Sequence, residues 1–430
     1  MRLSLAMIVK NEARFLAHCL ESVQGLVDEA VVVDTGSEDA TPEIARSKGA
    51  QVSHFPWCGD FSAARNAALA RCRGDWILVL DADEAIDRKD HATIRKALER
   101  TGIHGWMLPI RNHLRSGAYA GAGGEAKPND GRYLEGADFS HYVETLHLRL
   151  FRAQGGPVYA GRIHELAEPY FETRGLALGR LDAAIHHYGK TEGARERAKL
   201  AEYLRLALLD AAERPGESQL QYNVVQQAIL AEAWPEALEA ARCFRALEAR
   251  RPLLVELGGA KALRALGRAE EALAWLDGVQ AEGPALACER AEALLAAKRP
   301  EEGERELLAL LERAPFYTRA FLALAGHLAA QDRREAALQV LEAGLDQNPK
   351  DELLWNELVV LGGQGDPRAA ARNAWDALQA VPGGGQGLWH QIVFRVLLAQ
   401  GDRAEAAEVL RRGLAAFPGN QELEALQARL

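Results

Sequence analysis

The sequence predicts a chain of two parts with different architectures. The first is an α/β domain with a doubly wound, mostly parallel sheet. The second is an all-α solenoid. Three observations predict this. Short β-rich runs alternate with helical patterns over the first hundred residues. From about Thr191 the strand signals vanish, and Ala, Leu, Glu and Arg dominate, a helix-forming composition. Finally, Pro315, Pro349, Pro382 and Pro418 recur at spacings of 34, 33 and 36 residues, the period of stacked helix pairs.

In chain order, Leu3–Val9 is the first predicted strand, followed by a helix over Ala13–Val23. Ala30–Thr35 is nearly all apolar, as a strand buried on both faces should be. The next helix has Thr41 as its expected N-cap, Pro42 at its first position and Gly49 just past its end. Gln51–Phe55 is a third strand. The helix FSAARNAALARC leads to a fourth, Trp76–Asp83. Beyond it, MLPIRNH and HLRLFR read as strands around the Gly-rich stretch Ser116–Asp138, which reads as a long loop. Such loops are often functional, and this one is a candidate lid. The expected domains are 1–190 and 191–430.

In the second domain the turns LGR (266–268), AQD (330–332), GQGD (363–366) and AQGD (399–402) precede similar helices. Counting turns at Ala233, Gly267, Lys298, Asp332, Asp366 and Asp402 gives five or six units. Each helix pair must stack on its neighbours to bury its apolar face. Trp275, Trp355, Trp375 and Trp389 are expected to pack the core, and no residue of this half is singled out for chemistry. Its expected contribution is an extended surface suited to a peptide.

Composition narrows the function. With 51 Lys+Arg against 61 Asp+Glu, the net charge is −10. Phosphate neutralisation needs clustered cations, so nucleic acid and anionic membrane are disfavoured partners. Five cysteines with no CxxC pair argue for a reducing compartment, and a cytoplasmic location is expected. No stretch has the roughly 18–20 apolar residues that span a bilayer.

In an open α/β sheet, ligands bind outside the carboxyl ends of the strands. Here those ends read Lys10-Asn11-Glu12, Asp34-Thr35-Gly36-Ser37, Trp57–Ser62 and Asp81-Ala82-Asp83-Glu84. All are polar, which points to one shared site. In extended backbone Asp81 and Asp83 share a face. Two carboxylates there suit a hard divalent cation completed by substrate phosphates. The competing reading is a solvated acidic turn. No GxGxxG follows the first strand and no GxxxxGK[ST] occurs, so any phosphates must be held by metal and side chains.

The segments MIVKNEARFLAHCLESV, DEAVVVDTGSEDAT, FSAARNAAL and GDWILVLDADE together resemble the nucleotide-binding half of a family 2 glycosyltransferase with the GT-A fold. The likeness is close over 1–100 and looser over 101–190. RLFR (149–152), GRIHE (161–165) and HHYG (186–189) resemble a bacterial branch, some of whose members carry tetratricopeptide repeats and glycosylate proteins or peptides such as flagellins or bacteriocin precursors. The fold class implied is a GT-A nucleotide-sugar-binding domain followed by a tetratricopeptide-like solenoid. The resemblance implies that Asp34 contacts the uracil of a UDP-sugar and that Asn11 and Glu12 line the nucleoside pocket. It further implies Arg65 near the diphosphate, Asp81 reaching the ribose or sugar, and Asp83 ligating Mn²⁺ or Mg²⁺. The QxxRW pattern of processive synthases is missing, which favours transfer of a single sugar.

An inverting transferase needs a base for the acceptor proton. His164 and Glu165 match the acceptor-side segment of that branch. In a strand they face opposite ways, so Glu165 is the candidate base and His164 a polar contact; a buried structural His–Glu pair is the alternative. His187 is a candidate third metal ligand or else a core histidine. The function expected is inverting transfer from a UDP-sugar to a Ser, Thr or Cys side chain presented by the repeats. The alternatives are transfer to a lipid-linked or surface glycan, and a non-catalytic scaffold.

Overall fold

The computed structural model describes residues 1–118, 126–137, 139–188, 194–279, 282–349 and 351–362, and between 390 and 430 it describes 390, 393–394, 397–398, 403–417 and 420–430. The expected domain boundary at 190/191, part of the Ser116–Asp138 loop, the turns at 363–366 and 399–402, Pro382, Pro418, Trp375 and Trp389 lie outside the described residues.

The first part is built on strands β1 (Leu3–Val9), β2 (Glu29–Asp34), β3 (Gln51–His54), β4 (Trp76–Val79), β5 (Glu84–Ile86), β6 (Gly105–Leu114), β7 (Lys127–Pro128), β8 (His141–Arg152), β9 (Leu178–Arg180) and β10 (Ile185–His187). Their order in the sheet is β3-β2-β1-β4-β8-β6-β10-β5, with β7 on β8 and β9 on β6. The first four strands are parallel to one another. At β8 the direction reverses, because β8 runs antiparallel to both β4 and β6.

Alternation along the strands explains why both faces are covered. Leu3, Leu5, Met7 and Val9 enter one core with Trp76 and Leu78. Ala6, Ile77 and Val79 enter the other with Phe151 and Phe171. Helices α1 (Leu16–Ser22), α2 (Thr41–Ser47), α3 (Phe61–Leu69) and α4 (His91–Leu98) connect the strands, and α5 (Glu168–Glu172) follows β8. Asp60 caps α3 by accepting from the Ala63 N–H at 2.9 Å.

Three local expectations change. β4 ends at Val79, and Asp81–Glu84 form a turn closed by the Glu84 N–H to the Asp81 carbonyl at 3.1 Å. GRIHE is not a strand; it runs through bends, with Gly161 at φ 101 and His164 at φ 53. Thr41 is inside α2 rather than capping it. Its hydroxyl donates to Asp39 at 2.5 Å and accepts from the Glu12 N–H at 2.7 Å, so it ties two strand-end loops together.

The second part opens with α6 (Ala194–Glu213) and continues as pairs: α7 (Ser218–Leu230) with α8 (Trp234–Leu247), α9 (Leu253–Ala265) with α10 (Ala269–Leu276), α11 (Pro284–Ala296) with α12 (Pro300–Arg313), and α13 (Thr318–Ala330) with α14 (Arg334–Gln347). Then come α15 (Glu352–Gly362) and helices at Arg403–Ala416 and Gln421–Leu426. One device closes every pair. Glu232, Gly267, Lys298 and Asp332 adopt left-handed φ of 54° to 75°. The next residue's N–H then returns to the carbonyl five positions back: 233 to 228, 268 to 263, 299 to 294 and 333 to 328. This is the Schellman helix ending, and it places the first turn at Glu232 rather than Ala233. Trp355 is buried, and Trp275 packs beneath Arg245, so both are packing residues as expected.

Among the described residues the helical part touches the sheet part in two regions. Near α6 and α7, Arg162 pairs with Asp210 at 2.9 Å and with Glu213 at 2.7 Å. At the far end, buried Asp351 accepts from the Gly117 N–H and the Thr318 hydroxyl, each at 2.8 Å. Among the described residues no helix is long and apolar enough to cross a membrane.

Candidate active site

The parallel strands β1, β2 and β4 end side by side, because Val9 pairs with Asp34 and Ala6 pairs with both Val31 and Val79. That register brings the predicted residues of three loops to one edge. Asn11, at φ 58, donates its backbone N–H to Ser37 Oγ at 2.8 Å and accepts from the Glu38 N–H at 2.7 Å. Asp34 is 7% exposed, and its carboxylate accepts from the Gly36 and Ser37 N–H groups at 3.2 Å. Glu12 is held through its backbone by Thr41.

The next cluster is charged. Arg65 extends from α3 and donates to Glu165 at 2.5 Å and to Asp81 at 2.8 Å. Arg149 of β8 donates to Glu84 at 2.9 Å and reaches Asp81 at 3.4 Å. Burial would raise the Asp81 carboxyl, but the two guanidiniums hold it well below the usual carboxylate range. Glu84 behaves oppositely. Burial pushes it up to about 7, against the pull of Arg149. Its carboxylate also accepts the Asp81 N–H at 2.8 Å, which fixes the turn that carries both aspartates.

Asp83 faces His187, with Oδ2 to Nε2 at 3.4 Å. His187 Nδ1 lies 2.8 Å from Asn112 Oδ1, and the Asn112 amide nitrogen donates to the Val143 carbonyl at 3.2 Å. The amide therefore presents its oxygen to the ring, and Nδ1 carries the hydrogen. Burial lowers His187, but the adjacent Asp83 charge more than offsets it and brings the ring up to about 9. A carboxylate beside an imidazole whose far nitrogen is anchored fits the donor set of a divalent cation. Among the described residues no group of three or more His, Cys, Asp or Glu side chains could hold a metal by itself. Asp83 and His187 would thus supply two positions and leave the rest to phosphate and water.

His164 does not join this cluster. Its left-handed backbone turns the ring toward α7, where Nε2 accepts from the Gln227 amide at 2.8 Å, and burial lowers its pKa to about 4. It is a contact between the two parts of the chain. Glu165 is partly buried and faces Arg65.

Sequence reasoning passed over Glu84, Arg149 and Asn112. Arg149 had a signal: a cation in the middle of the apolar run LRLF is costly unless it is paired. Asn112 had none, since its role exists only because β10 lies beside β6.

Comparison with known proteins bears on this region. The glycosyl transferase family 2 model matches residues 4–118. A TPR repeat-containing protein of Synechococcus elongatus is 52% identical over 99 residues, which is 23% of this chain and 25% of that one. An uncharacterized glycosyltransferase of Rickettsia felis is 41% identical over 88 residues, 20% of this chain and 31% of that one. The SPbeta prophage-derived glycosyltransferase SunS of Bacillus subtilis is 30% identical over 168 residues, 38% of this chain and 34% of that one. The matched stretches thus span about a quarter to a third of these relatives' lengths. Residues 4–118, which carry the strand ends and the Asp81–Asp83 turn, thus match the glycosyl transferase family 2 model, and they are joined in one chain to a series of helix pairs.

Proposed function

We propose that the chain transfers one sugar from a UDP-sugar to a Ser, Thr or Cys side chain of a protein or peptide, with inversion and with Mn²⁺ or Mg²⁺. The observation that carries this reading is the meeting of Asp34, the Asp81–Asp83 turn, Arg65 and His187 at one sheet edge within and beside a glycosyl transferase family 2 domain. The names of the Rickettsia and Bacillus relatives agree with glycosyl transfer.

In this reading Asp34, Asn11 and Glu12 bind the nucleoside, and Asp81 orients the ribose or sugar. Asp83 and His187 would hold the cation, which when bound would supply positive charge against the diphosphate. Arg65, anchored on Asp81, adds positive charge there. Glu165 accepts the acceptor's proton as its oxygen or sulfur bonds to the anomeric carbon and the bond to the diphosphate breaks. That demands that the Arg65–Glu165 contact loosen when donor binds, since Arg65 holds one Glu165 oxygen at 2.5 Å. The helix pairs support a peptide acceptor, because stacked repeats offer an extended surface next to the site. The five cysteines are free, which agrees with a cytoplasmic setting. The domain division is taken at 190/191.

The test is transfer from UDP-sugars in the presence of Mn²⁺, read by mass spectrometry on a peptide library. Asp83→Ala should cost at least about a hundredfold in turnover with unfolding unchanged. Full activity of that variant would defeat the site assignment. Transfer to a lipid-linked glycan and not to peptides would defeat the acceptor.

A further inference from the structure

We propose that Lys199, on the helix that opens the helical part, binds the diphosphate of the nucleotide-sugar donor, so that the site on the sheet edge is completed by α6. The inference rests on the donor reading above and adds to it a residue from outside the glycosyl transferase family 2 domain.

The argument starts from one face of α6. Tyr203 packs its ring edge-on against Phe61 with centroids 5.4 Å apart, and Phe61 packs on Trp57 at 4.7 Å. Leu206 is 1% exposed and lies 3.6 Å from where a side chain on Gly59 would begin. Asp210 accepts from the Arg162 N–H at 3.0 Å and from its guanidinium at 2.9 Å. Positions 203, 206 and 210 form one helical stripe, and 199 continues it by one turn. The stripe therefore docks α6 along the segment 57–61 and the turn at 162, with Lys199 at its site-facing end.

The surroundings of Lys199 agree with that placement. Its Nζ lies 5.6 Å from the centre of the Tyr203 ring. Burial lowers its pKa, but the Tyr203 hydroxyl, which it also hydrogen-bonds, and then the Asp83 and Glu12 carboxylates more than offset that and raise it. Among the described residues Lys199 forms no ion pair, and the residue stays open to solvent although its ammonium is partly desolvated. The other cations of the site differ. Arg65 is committed to Asp81 and Glu165, and Arg149 to Glu84. Lys199 is thus an accessible cation whose charge is felt at Asp83 and Glu12. A lysine ammonium is a compact charge with three rotatable donors, suited to phosphate oxygens.

The experiment uses the full chain with Mn²⁺ and measures binding of UDP and of uridine by calorimetry. Lys199→Ala should weaken UDP by about tenfold to a hundredfold, the size of a lost charge-assisted hydrogen bond. Uridine, which lacks phosphate, should bind as before, and Lys199→Arg should recover most of the UDP affinity. UDP binding by Lys199→Ala at the level of the unaltered chain would overturn the inference. So would an equal loss of uridine and UDP, which indicates a distorted pocket. The unaltered chain supplies the separate check: if it binds no UDP, the donor reading itself has failed. If it binds UDP and Lys199→Ala does too, only the role of Lys199 has failed.

Discussion

The two parts of the molecule hold their buried charges over very different distances along the chain. In the helix pairs, arginines bridge neighbouring repeats. Arg264 donates to Glu289 at 2.9 Å across 25 positions, and Arg319 bonds both Glu289 and Glu292, the latter at 2.7 Å across 27. On the sheet edge, Arg65 reaches Glu165 across 100 positions and Arg149 reaches Glu84 across 65. A repeat reuses one local solution at a fixed period. The sheet edge assembles one site from loops that only the strand register brings together. Substitutions among the repeats should therefore be felt as stability, and those at the sheet edge as activity.

The sharpest way to break this contrast is Glu289→Ala. Glu289 is 1% exposed and receives two guanidiniums. Removing it leaves both guanidiniums to share Glu292 alone, so the variant should lose about 3 kcal/mol in thermal or urea unfolding. Its donor binding, measured on the folded fraction, should not move; a selective loss of UDP affinity would mean that the repeats and the sheet edge are not separable.

A smaller effect is expected at the contact that joins the two parts. Asp351 accepts from the Gly117 N–H and the Thr318 hydroxyl, and also caps the chain turn through the Leu353 and Leu354 N–H groups at 3.1 and 3.2 Å. Asp351→Ala orphans those donors and should cost about 1–3 kcal/mol. Amide exchange should quicken at Gly117 as well as at Leu353. Protection retained at Gly117 would show that this junction is held by other contacts.

The smallest change tests the repeat device alone. Lys298 sits at φ 60, where a side chain costs about 1 kcal/mol and glycine does not. Lys298→Gly should raise stability by less than about 1 kcal/mol, because glycine also loosens the unfolded chain. Destabilisation would imply that the lysine side chain contributes something beyond its backbone.

What was legible in the sequence follows the same division. The helix pairs were readable because turn, proline and apolar stripe all lie within one period. Even there the first turn shifted by one residue, since only the left-handed φ distinguishes Glu232 from Ala233. The placement of Asp34, Asp81 and Asp83 at the sheet edge was readable because Asp34 ends β2 and the two others lie in the turn just after β4. The backbone at His164 was not readable, because the strand assumed for GRIHE is a left-handed bend that turns the ring toward α7. The docking of α6 beside the strand ends carried no local signal. It depends on a helix stripe finding Phe61 and Arg162, at positions about 140 and about 50 residues earlier.

The bond from Gly117 to Asp351 has a consequence for the order of folding. It closes a span of 234 positions. The entropy of closing so long a loop grows only with the logarithm of its length, so length is not the obstacle. The intervening chain is a stack of helix pairs, and Asp351 comes into register with Gly117 only when α7 through α14 have assembled. On a nascent chain the sheet can form while the helices are still being made, with the Gly117 amide exposed to water until residue 351 has emerged. The start of the glycine-rich segment is thus among the last backbone positions to be fixed, and its anchoring reports that the helix stack is complete.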